Sequence, residues 1–384
     1  MRILVVGGGV IGLLTAVEAV AAGHRVVVCD QGTIPNPRAT SHDRHRVLRA
    51  LHPGDAAATA AAARAHHAWT ALADRLAAGC YRRVGAVSVL PRHAVPAALA
   101  DLAEIADIAE IANIADSADS AGRPVAWVEP VPHVVLPPGT AGVFEADAGV
   151  LLADRVLAAA AAWLAGHPQA ELREHHRAVA VDADRATVRF AGGDVLGADA
   201  VLLAPGPWAR ELVPESLRPS LTLFRQSLLY CDAPGPVWRH MPSVRGLGDD
   251  GAAWLVPPVA DTPLKLSAAT ACREVAEVTD HATPPRWRDH LVGVWSRIIP
   301  GFHAGLVTAA SDCYYLAPAA AGGSAALARL GPSVLSFAAC GGGAFKFAPL
   351  VARALVADLT GARPLEPDVF PHLLLPHSTL RGAS

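Results

Sequence analysis

A glycine-rich turn near the N-terminus has the spacing that binds the pyrophosphate of a dinucleotide. Gly7, Gly9 and Gly12 form a G-x-G-x-x-G motif directly after the apolar segment 3–6. The first glycine of this motif permits a tight turn, the second lets the backbone approach the pyrophosphate, and the third lets the next helix pack on the strand. A helix predicted over residues 11–22 would direct its N-terminal N–H groups at the phosphates. The segment is therefore predicted to be a nucleotide-binding βαβ unit.

An acidic residue lies at the distance from this turn at which such units contact a ribose. The strand predicted at Arg25–Cys29 ends in Asp30, whose carboxylate is expected to accept hydrogen bonds from a ribose hydroxyl. A glycine-rich turn in an ordinary α/β domain is the alternative interpretation, and it leaves Asp30 without a role. The motif does not distinguish NAD from FAD.

Two lysines are a second chemical signal, because the chain otherwise uses arginine as its basic residue. Lys265 and Lys346 are the only lysines among 32 lysine and arginine residues. A compact ammonium group can be desolvated and its protonation tuned, whereas a guanidinium group stays charged. Both lysines are therefore candidates for functions that arginine does not perform. Chance retention in a chain rich in arginine and alanine is the alternative.

A dense polar segment follows the βαβ unit. Residues 41–49 read S-H-D-R-H-R-V-L-R, and so many ionisable groups are usually typical of a solvated loop. The position beyond a dinucleotide-binding unit, where a parallel sheet opens its ligand crevice, favours a role in a site instead. A second glycine-rich stretch, 341–343, lies before a helix predicted at 349–359 and could direct further N–H donors at a ligand.

Composition limits the class of protein. A chain of 384 residues is long enough for two domains, or for one large domain with an elaborated second lobe. The net charge of −3 gives no electrostatic reason to expect nucleic acid. We expect no membrane span and no signal peptide before the first strand. Six cysteines without metal-ligand spacing favour reduced thiols, no metal site and a cytoplasmic protein.

The remaining elements have to bring these segments together. In the helix predicted at 97–121 isoleucine recurs every third residue, so its apolar stripe drifts, and the helix is interpreted as a surface element without chemistry. The proline- and valine-rich segment 123–139 is predicted to be an extended linker. Other helices are predicted at 55–78, Ala153–Ala165 and 284–298, and strands at 81–90, 179–182, Thr187–Phe190, Ala200–Leu203, Leu221–Cys231, Ala253–Val256, Leu264–Ala268 and 334–338.

Several further motifs occur in a consistent order along the chain. Residues 41–49 match S-H-G-D-T-R-x-x-R, and residues 144–151 match a phenylalanine–glutamate stretch that ends in G-x-L. Further matches are Gly206 to Trp208, Arg225 with Gln226, Cys313 to Tyr315, and residues 342–347 as G-x-G-F-K-F with Ala344 replacing one glycine. Through these motifs the chain resembles the monomeric sarcosine oxidase and N-methyl-amino-acid oxidase branch of the flavin-dependent D-amino-acid oxidase superfamily, over nearly its whole length.

The pattern and the resemblance together predict an α/β fold with two domains. A Rossmann-like FAD-binding domain, discontinuous in sequence, would comprise residues 1–80, 145–215 and 305–384. A second, α+β domain that binds the substrate would be built on a mostly antiparallel sheet from residues 81–144 and 216–304.

The resemblance implies roles for individual residues. Arg49 and Lys346 are implied to bind the substrate carboxylate, a task that a bidentate guanidinium group suits. Lys265 is implied to lie beside the flavin and activate dioxygen, where a localised cation would stabilise superoxide. Cys313 is implied to be joined through sulfur to the flavin 8α-methyl group, which requires thiolate character. A buried thiol without this link is the alternative for Cys313.

The same resemblance implies the remaining members of the site. Arg46 and His42 would lie near the isoalloxazine, and Tyr315 would line the substrate pocket. The residues implied to bind FAD are Gly7, Gly9, Val10, Ile11, Gly12, Asp30, Gln31, Ser41, His42, Arg46, Val179, Gly206, Trp208, Cys313, Gly342, Gly343, Ala344 and Lys346.

The chain also departs from the family pattern in and near the predicted site. Ala269 and Gly343 stand where the family has histidines, and Asp43, Arg44 and His45 replace its Gly-Asp-Thr. These changes predict a substrate other than sarcosine.

The function implied is FAD-dependent oxidation of a secondary or cyclic amine that carries a carboxylate, to an imine, with dioxygen reduced to hydrogen peroxide. Such an enzyme needs only a small-molecule amine and dioxygen as partners, with neither nucleic acid nor a membrane, and a monomer is expected. One alternative is a flavin dehydrogenase or desaturase that uses another electron acceptor. Another is a flavoprotein that acts as a carrier or scaffold, which would need none of Arg49, Lys265, Lys346 and Cys313.

Overall fold

The computed structural model describes residues 1–76, 79–111, 125–319, 327–338 and 343–365. Across these ranges no helix is both long and apolar enough to span a bilayer. The helices are α1 (Val10–Ala21), α2 (Ala56–Leu76), α3 (Val95–Ile111), α4 (Ala153–Ala165), α5 (Ala209–Leu212), α6 (Pro285–Ile298) and α7 (Ala344–Leu359). The strands are β1 (Arg2–Val6), β2 (Arg25–Cys29), β3 (Arg46–Leu48), β4 (Tyr81–Arg83), β5 (Ala86–Pro91), β6 (Val125–Val128), β7 (Thr140–Glu145), β8 (Gly149–Leu151), β9 (Ala170–Arg173), β10 (Ala178–Asp182), β11 (Thr187–Phe190), β12 (Val195–Gly197), β13 (Ala200–Leu203), β14 (Leu221–Cys231), β15 (Ser243–Leu247), β16 (Ala253–Val256), β17 (Leu264–Ala268), β18 (Cys272–Glu274), β19 (Val307–Pro318), β20 (Leu327–Gly331) and β21 (Val334–Phe337).

Short apolar segments from distant parts of the chain form a six-stranded sheet in the order β20-β21-β13-β1-β2-β9. Its strands are parallel except for β20 at one edge. Ile3 and Val5 face a core shared with α1, α4 and α7, while Leu4 and Val6 face a core shared with β10 and β11. Burial on both faces explains why these strands read as uninterrupted apolar runs.

A second, nine-stranded sheet is mostly antiparallel. Its order is β18-β14-β17-β16-β15-β5-β7-β6, and β19 pairs with β14 along most of that strand. The pairing of β15 with β5 is parallel. Leu291 and Trp295 of α6 are fully buried against one face of this sheet. Its other face packs in part against α3 and β8.

The two sheets divide the chain much as the predicted fold class requires, with a Rossmann-like parallel part and a mostly antiparallel part. The long strand β19 was not predicted from the sequence. It lies within the third segment assigned to the FAD-binding domain, yet it belongs to the nine-stranded sheet. The domain boundaries themselves stay a prediction.

The helices and strands whose apolar residues form a clear pattern along the sequence were predicted with accurate bounds. Among them, α4, β2, β11, β13, β14, β16 and β17 have the predicted first and last residues. The strand predicted at 81–90 is instead two strands, β4 and β5. Gly85 separates them because its φ of +77° lies in the left-handed region.

Two predictions in the segment 97–139 are wrong where the structure describes it. Val95, Ala98 and Leu102 of α3 are buried against Leu51 and other apolar residues, so the first half of this helix is not a surface element. The segment predicted as an extended linker is extended at β6, as predicted, but β6 pairs with β7 in the sheet and is therefore not a linker. The part of the predicted helix beyond residue 111 lies outside the described residues.

Helix α7 begins at Ala344, five residues before its predicted start, and Pro349 lies inside it. A proline lacks the N–H that would bond the carbonyl four residues earlier, here that of Phe345. The Trp69 indole Nε1 instead donates to the carbonyls of Phe345 (3.1 Å) and Lys346 (2.8 Å). This bond from α2 compensates for the missing N–H and lets the helix extend back to the second glycine-rich stretch.

Candidate active site

The glycine-rich turn has a backbone that only glycine fits. Gly7 has a φ of +110°, and a Cβ added there would lie 2.2 Å from the Ala204 carbonyl oxygen. A Cβ on Gly12 would lie 1.9 Å from the carbonyl oxygen of Gly7. Both contacts are far inside van der Waals distance. The turn therefore brings β1, β13 and the start of α1 into direct backbone contact.

The polar segment 41–49 reaches this turn. The Val10 N–H at the start of α1 donates to Ser41 Oγ at 3.1 Å. Asp30 accepts hydrogen bonds from the Gly8 N–H (2.8 Å) and Asn36 Nδ2 (2.7 Å), and also from the Gly32 N–H. A carboxylate has about four acceptor positions, so one remains for a ligand hydroxyl.

A cleft opens at the glycine-rich turn and the start of α1. Its walls come from both ends and the middle of the chain, because β1, β13, β21 and α7 meet there. Predicted site residues that line it are Gly7, Gly9, Val10, Ile11, Asp30, Ser41, Arg46, Gly206, Trp208, Tyr315 and Ala344.

Other predicted cofactor residues do not line this cleft in the described part of the chain. Gly12 is enclosed by the turn, and Val179 lies on β10 with its side chain exposed. Gly342 is outside the described residues. Gln31, His42, Gly343, Cys313 and Lys346 are likewise not part of the cleft wall.

The strand register of the nine-stranded sheet places a row of polar, aromatic and thiol side chains on one face. Opposed residues in an antiparallel pair share a face, and residues two apart along a strand share it too. The register pairs Arg245 with Trp254, Lys265 with both Val256 and Tyr230, Gln226 with Cys313, and Phe224 with Tyr315. Arg245, Trp254, Lys265, Tyr230, Gln226, Cys313 and Tyr315 therefore share one face, and Tyr315 extends it to the cleft.

Lys265 forms a buried ion pair that the sequence did not indicate. Its Nζ contacts the Asp43 carboxylate, which also contacts the Arg46 guanidinium group and accepts a hydrogen bond from Tyr230 Oη at 2.7 Å. Burial and the Arg46 cation lower the pKa of Lys265 well below its usual value. The Asp43 carboxylate opposes that shift, because it favours the charged ammonium group. With two cations and one anion, the three groups together carry one positive charge.

Cys313 lies near the same cations. Burial raises the pKa of its thiol, while Arg46 and Lys265 act in the opposite direction. A bound anion or thiolate at this position would therefore be stabilised by two nearby positive charges.

Arg49 and Lys346, predicted to act together, do lie in one cluster. Lys346 is in the first turn of α7, and Arg49 follows β3, with its guanidinium group donating to the Leu51 carbonyl. Burial, followed by the Arg49 cation, lowers the pKa of Lys346 well below its usual value. The carboxylate of Glu145 accepts the N–H groups of Ala50 (2.7 Å) and Leu51 (3.1 Å) and so holds the backbone beside Arg49.

His52 positions the Lys346 ammonium group. Its Nδ1 lies 2.8 Å from the Ala50 carbonyl oxygen, so Nδ1 must carry the proton and donate. Its Nε2 is therefore an acceptor, and Lys346 Nζ lies 3.2 Å from it. Burial and the Lys346 cation lower the pKa of His52, which keeps the ring neutral. Sequence reasoning missed His52, although it stands three residues beyond the motif at 41–49.

A third cation, Arg245, belongs to this cluster and was also missed. The Arg49 cation, followed by burial, lowers the pKa of Arg245 to about 9, so its guanidinium group remains charged at neutral pH. It lies on β15, which was not predicted. A single arginine between apolar residues in S-V-R-G-L was the available signal.

A model of a known protein family matches residues 2–359, and its description is "FAD dependent oxidoreductase", abbreviated DAO. The chain belongs to this DAO family of FAD-dependent oxidoreductases. A search of the curated proteins found no match.

Solved structures share the fold of this DAO-family protein at low sequence identity. The fructosyl amine:oxygen oxidoreductase Amadoriase I from Aspergillus fumigatus is 17% identical, with 100% of this chain and 91% of that chain covered and a TM-score of 0.72. Amadoriase II from the same organism, a deglycating fructosamine oxidase, is 16% identical, with 97% and 89% covered and a TM-score of 0.73. NikD, an unusual amino acid oxidase essential for nikkomycin biosynthesis, is 19% identical, with 97% and 96% covered and a TM-score of 0.71.

The residues of this DAO-family protein fit the cofactor of its family. The turn at Gly7 and Gly12 leaves no room for side chains, and the first residues of α1, Val10 and Ile11, line the cleft. The first N–H groups of a helix have no partners within it and favour an anionic ligand. The Asp30 carboxylate accepts three hydrogen bonds from the described residues, which leaves one acceptor position for a ribose hydroxyl. These features fit the pyrophosphate and the ribose of a flavin dinucleotide.

Arg225, in the matched Arg225–Gln226 pair, faces away from this site. It shares the fully buried Asp312 carboxylate with Arg273, whose Nη2 lies 2.7 Å from Asp312 Oδ2, and Thr283 Oγ1 donates to the same carboxylate at 2.7 Å. This cluster joins β14, β18 and β19 from the side opposite Lys265. Its function is structural.

Replacing Asp312 by asparagine is expected to lower the free energy of unfolding of this oxidoreductase by about 3 kcal/mol, because two largely buried guanidinium groups lose their counter-charge. Urea denaturation of the purified protein measures the change. The control is Asp182→Asn, which breaks an exposed pair with Arg185 at 3.5 Å and should change stability by less than about 1 kcal/mol. Equal effects of the two substitutions would contradict the structural role.

Proposed function

We propose that this protein oxidises an amine that carries a carboxylate to the corresponding imine, with FAD as the oxidant and dioxygen as the final electron acceptor. The observation that carries the proposal is the cluster of Arg49, Lys346 and His52 beside the first turn of α7, whose Ala344 and Phe345 line the flavin cleft. A cationic pair adjacent to the cofactor cleft suits a substrate carboxylate next to the carbon that is oxidised.

The residues proposed to hold FAD are those at the glycine-rich turn, Asp30, Ser41 and the cleft wall at Gly206 and Trp208. Gln31, His42, Val179, Gly342, Gly343 and Cys313 remain proposed contacts. When bound, FAD supplies the redox chemistry by accepting two electrons from the amine. The reaction removes one hydrogen from the α carbon and one from nitrogen, and transfer of both to dioxygen gives hydrogen peroxide.

The protein's own residues are proposed to bind and orient the amine. Arg49 would bind the carboxylate through two parallel N–H bonds, and Lys346, held by the neutral His52, would bind it as a point charge. Fixing the carboxylate at two points sets the direction of the α C–H bond. Lys265 would stabilise negative charge that develops on dioxygen, and Tyr315 would form part of the pocket wall.

The names of the structural neighbours are consistent with this chemistry. Amadoriase I is a fructosyl amine:oxygen oxidoreductase, and NikD is an unusual amino acid oxidase. Because their identity to this chain is below 20%, they support the fold, and the substrate class rests on the residues of the cluster. We further propose that the protein works as a monomer in the cytoplasm.

A dehydrogenase that passes electrons to another acceptor is a second candidate, favoured by one observation. The Asp43 carboxylate contacts the Lys265 ammonium group and cancels much of the field that it would exert on dioxygen. The family pattern has glycine at the position of Asp43, so this pairing is a departure of the present chain.

Anaerobic mixing of the purified yellow protein with N-methyl and cyclic amino acids tests the proposal. Bleaching of the flavin spectrum by a member of the panel is the expected result, followed in air by one peroxide per imine. Bleaching without peroxide would support the dehydrogenase, and an unchanged spectrum with every amine would contradict amine oxidation. Acid precipitation tests the proposed link, since a flavin joined to Cys313 stays with the precipitated protein and is released in Cys313→Ala.

Carboxylate binding to this pocket is expected to take up protons. The pKa of Lys346 is lowered in the free site by burial and by Arg49, and a bound carboxylate would raise it. Affinity should therefore be constant below the free-site pKa and fall as pH rises from that value to the higher pKa of the complex. Titration calorimetry with propionate, in two buffers of different ionisation enthalpy, measures the uptake. Proton release on binding would contradict the assignment of Lys346.

A further inference from the structure

We propose that Trp69 is a positioning residue for the reaction. Its indole fixes the first turn of α7, and with that turn the Phe345 ring on the wall of the flavin cleft and the Lys346 ammonium group. Helix α2, which lies outside the cleft wall, thereby acquires a role in catalysis. This inference rests on the proposed function, in which Lys346 binds the substrate carboxylate.

The indole N–H of Trp69 is shared between two consecutive carbonyls of α7. Nε1 lies 3.1 Å from the carbonyl oxygen of Phe345 and 2.8 Å from that of Lys346. In an α-helix the N–H of residue 349 would bond the Phe345 carbonyl, but that residue is a proline and has no N–H. The Phe345 carbonyl therefore takes from the side chain of another helix a bond that the helix backbone normally supplies.

The ring of Phe345 contacts both the indole and a cation of the cleft. Trp69 stacks on this ring with centroids 5.4 Å apart and an interplanar angle of 10°, and the Arg46 guanidinium carbon lies 5.9 Å from the Phe345 centroid. Trp69 is 1% exposed, so its position is set by packing. Because Phe345 and Arg46 both line the flavin cleft, the indole determines where this part of the wall lies.

The same turn carries the Lys346 side chain. Its Nζ lies 3.2 Å from His52 Nε2 and 5.8 Å from the ring centroid of Phe347. The ammonium group can keep these contacts only where the helix backbone places its Cα. A displacement of about 1 Å in a group that orients a substrate can cost about a hundredfold in rate. The bond to the Lys346 carbonyl is therefore expected to matter for function as well as for stability.

The sequence of α2 brings the indole close to α7. Alanines 58, 61, 62 and 65 precede Trp69 on the buried face of α2, and α2 packs directly on α7. The distance between two packed helices depends on the side chains at their contact, and small side chains let them approach closely. Trp69 is the large residue at the end of this alanine face, so its ring fills the space beside the first turn of α7.

Two substitutions separate the hydrogen bond from the packing. Trp69→Phe removes the N–H donor and keeps an aromatic ring against Phe345, whereas Pro349→Ala gives the helix its own N–H for the Phe345 carbonyl. Propionate, an unreactive carboxylate, is titrated into the FAD-loaded proteins, and its Kd is obtained from the change in the flavin spectrum.

We expect Trp69→Phe to weaken propionate binding about tenfold, since one charge-assisted hydrogen bond contributes about that factor or more. Pro349→Ala alone should change the Kd by less than about twofold. In the double variant the restored backbone bond should return the Kd to within about threefold of the wild type.

Trp295→Phe is the matched control. Trp295 is fully buried in the core between α6 and the nine-stranded sheet, and its Nε1 has no hydrogen-bond partner among the described residues. The control removes the same atoms and should lower the urea midpoint, but it should leave the propionate Kd unchanged. Equal losses of affinity in Trp69→Phe and Trp295→Phe would overturn the inference. So would a lower urea midpoint of Trp69→Phe with an unchanged Kd, or a loss of affinity that Pro349→Ala does not restore.

Lys346→Met separates these outcomes from failure of the proposed function. This variant should bind propionate at least about tenfold more weakly than the wild type. Equal binding, or no binding by the wild type, would refute the carboxylate assignment, and the flavin spectrum without added acid would then decide on Trp69. Because Phe345 lines the cleft, that spectrum should shift in Trp69→Phe and return in the double variant. A spectrum that is the same in wild type and Trp69→Phe would overturn the inference.

Discussion

Reaction of the substrate-reduced protein with dioxygen is expected to slow by about a hundredfold or more when Lys265 is replaced by methionine, while reduction by the amine is unchanged. A localised positive charge stabilises the negative charge that develops on dioxygen, and loss of one such group typically costs 10²–10³ in rate. Methionine has a similar shape and no charge. Asp43 keeps Arg46 and Tyr230 as partners in this variant, so the protein should still fold. Stopped-flow absorbance measures both half-reactions separately.

Asp43→Asn is the informative companion variant. Removing the carboxylate leaves the Lys265 charge without its counter-ion and also removes the group that favours the charged ammonium, so the reaction with dioxygen should be faster than in the wild type at a pH low enough to keep Lys265 protonated. Equal rates in wild type and Lys265→Met would show that Lys265 does not act on dioxygen. A slow wild type that is accelerated by Asp43→Asn would favour the dehydrogenase and identify Asp43 as its cause.

The parts of the fold that the sequence predicts best are those set by local patterns. The strands at β2 and β13 are apolar throughout because they are buried on both faces, and the glycine spacing at Gly7 and Gly12 reflects contacts within one βαβ unit. The start of α7 could not be predicted in this way. Local rules end a helix near Pro349, and the indole that compensates for the proline comes from Trp69, 276 residues away from Phe345.

Long-range pairing also limited prediction of the site. The rarity of lysine in the chain indicated Lys265, and a departure from the family pattern indicated Asp43. Their contact could not be predicted because the two residues are 222 positions apart in the sequence. Arg245 was missed because a bulge at Gly246 interrupts the alternation of β15 on which a strand prediction depends. The positions of Tyr230 and Trp254 can be derived from the strand register alone. Once β14, β16 and β17 are paired, both side chains must lie on the same face of the sheet as Lys265.

Replacing Arg49 by glutamine is expected to lower kcat/KM for a carboxylate-bearing amine by about 10³-fold. Two charge-assisted hydrogen bonds are lost, each contributing about 1.5–3 kcal/mol. Part of the loss should be offset, because removal of Arg49 also removes a cation that lowers the pKa of Lys346. The proton on Lys346 would then be held more tightly, and the carboxylate would retain one charged partner. Steady-state kinetics with the best amine of the panel measures the change.

Arg44→Gln is the matched control for this variant. Arg44 lies in the same polar segment, but its side chain is 56% exposed and its contact with Asp154 is 3.9 Å, so kcat/KM should change less than twofold. A methyl ester of the substrate provides the second comparison, since it lacks the negative charge. If Arg49 binds the carboxylate, Arg49→Gln should reduce the rate with the acid far more than with the ester. A similar loss with both would instead mean that Arg49 maintains the backbone at Leu51, to whose carbonyl it donates.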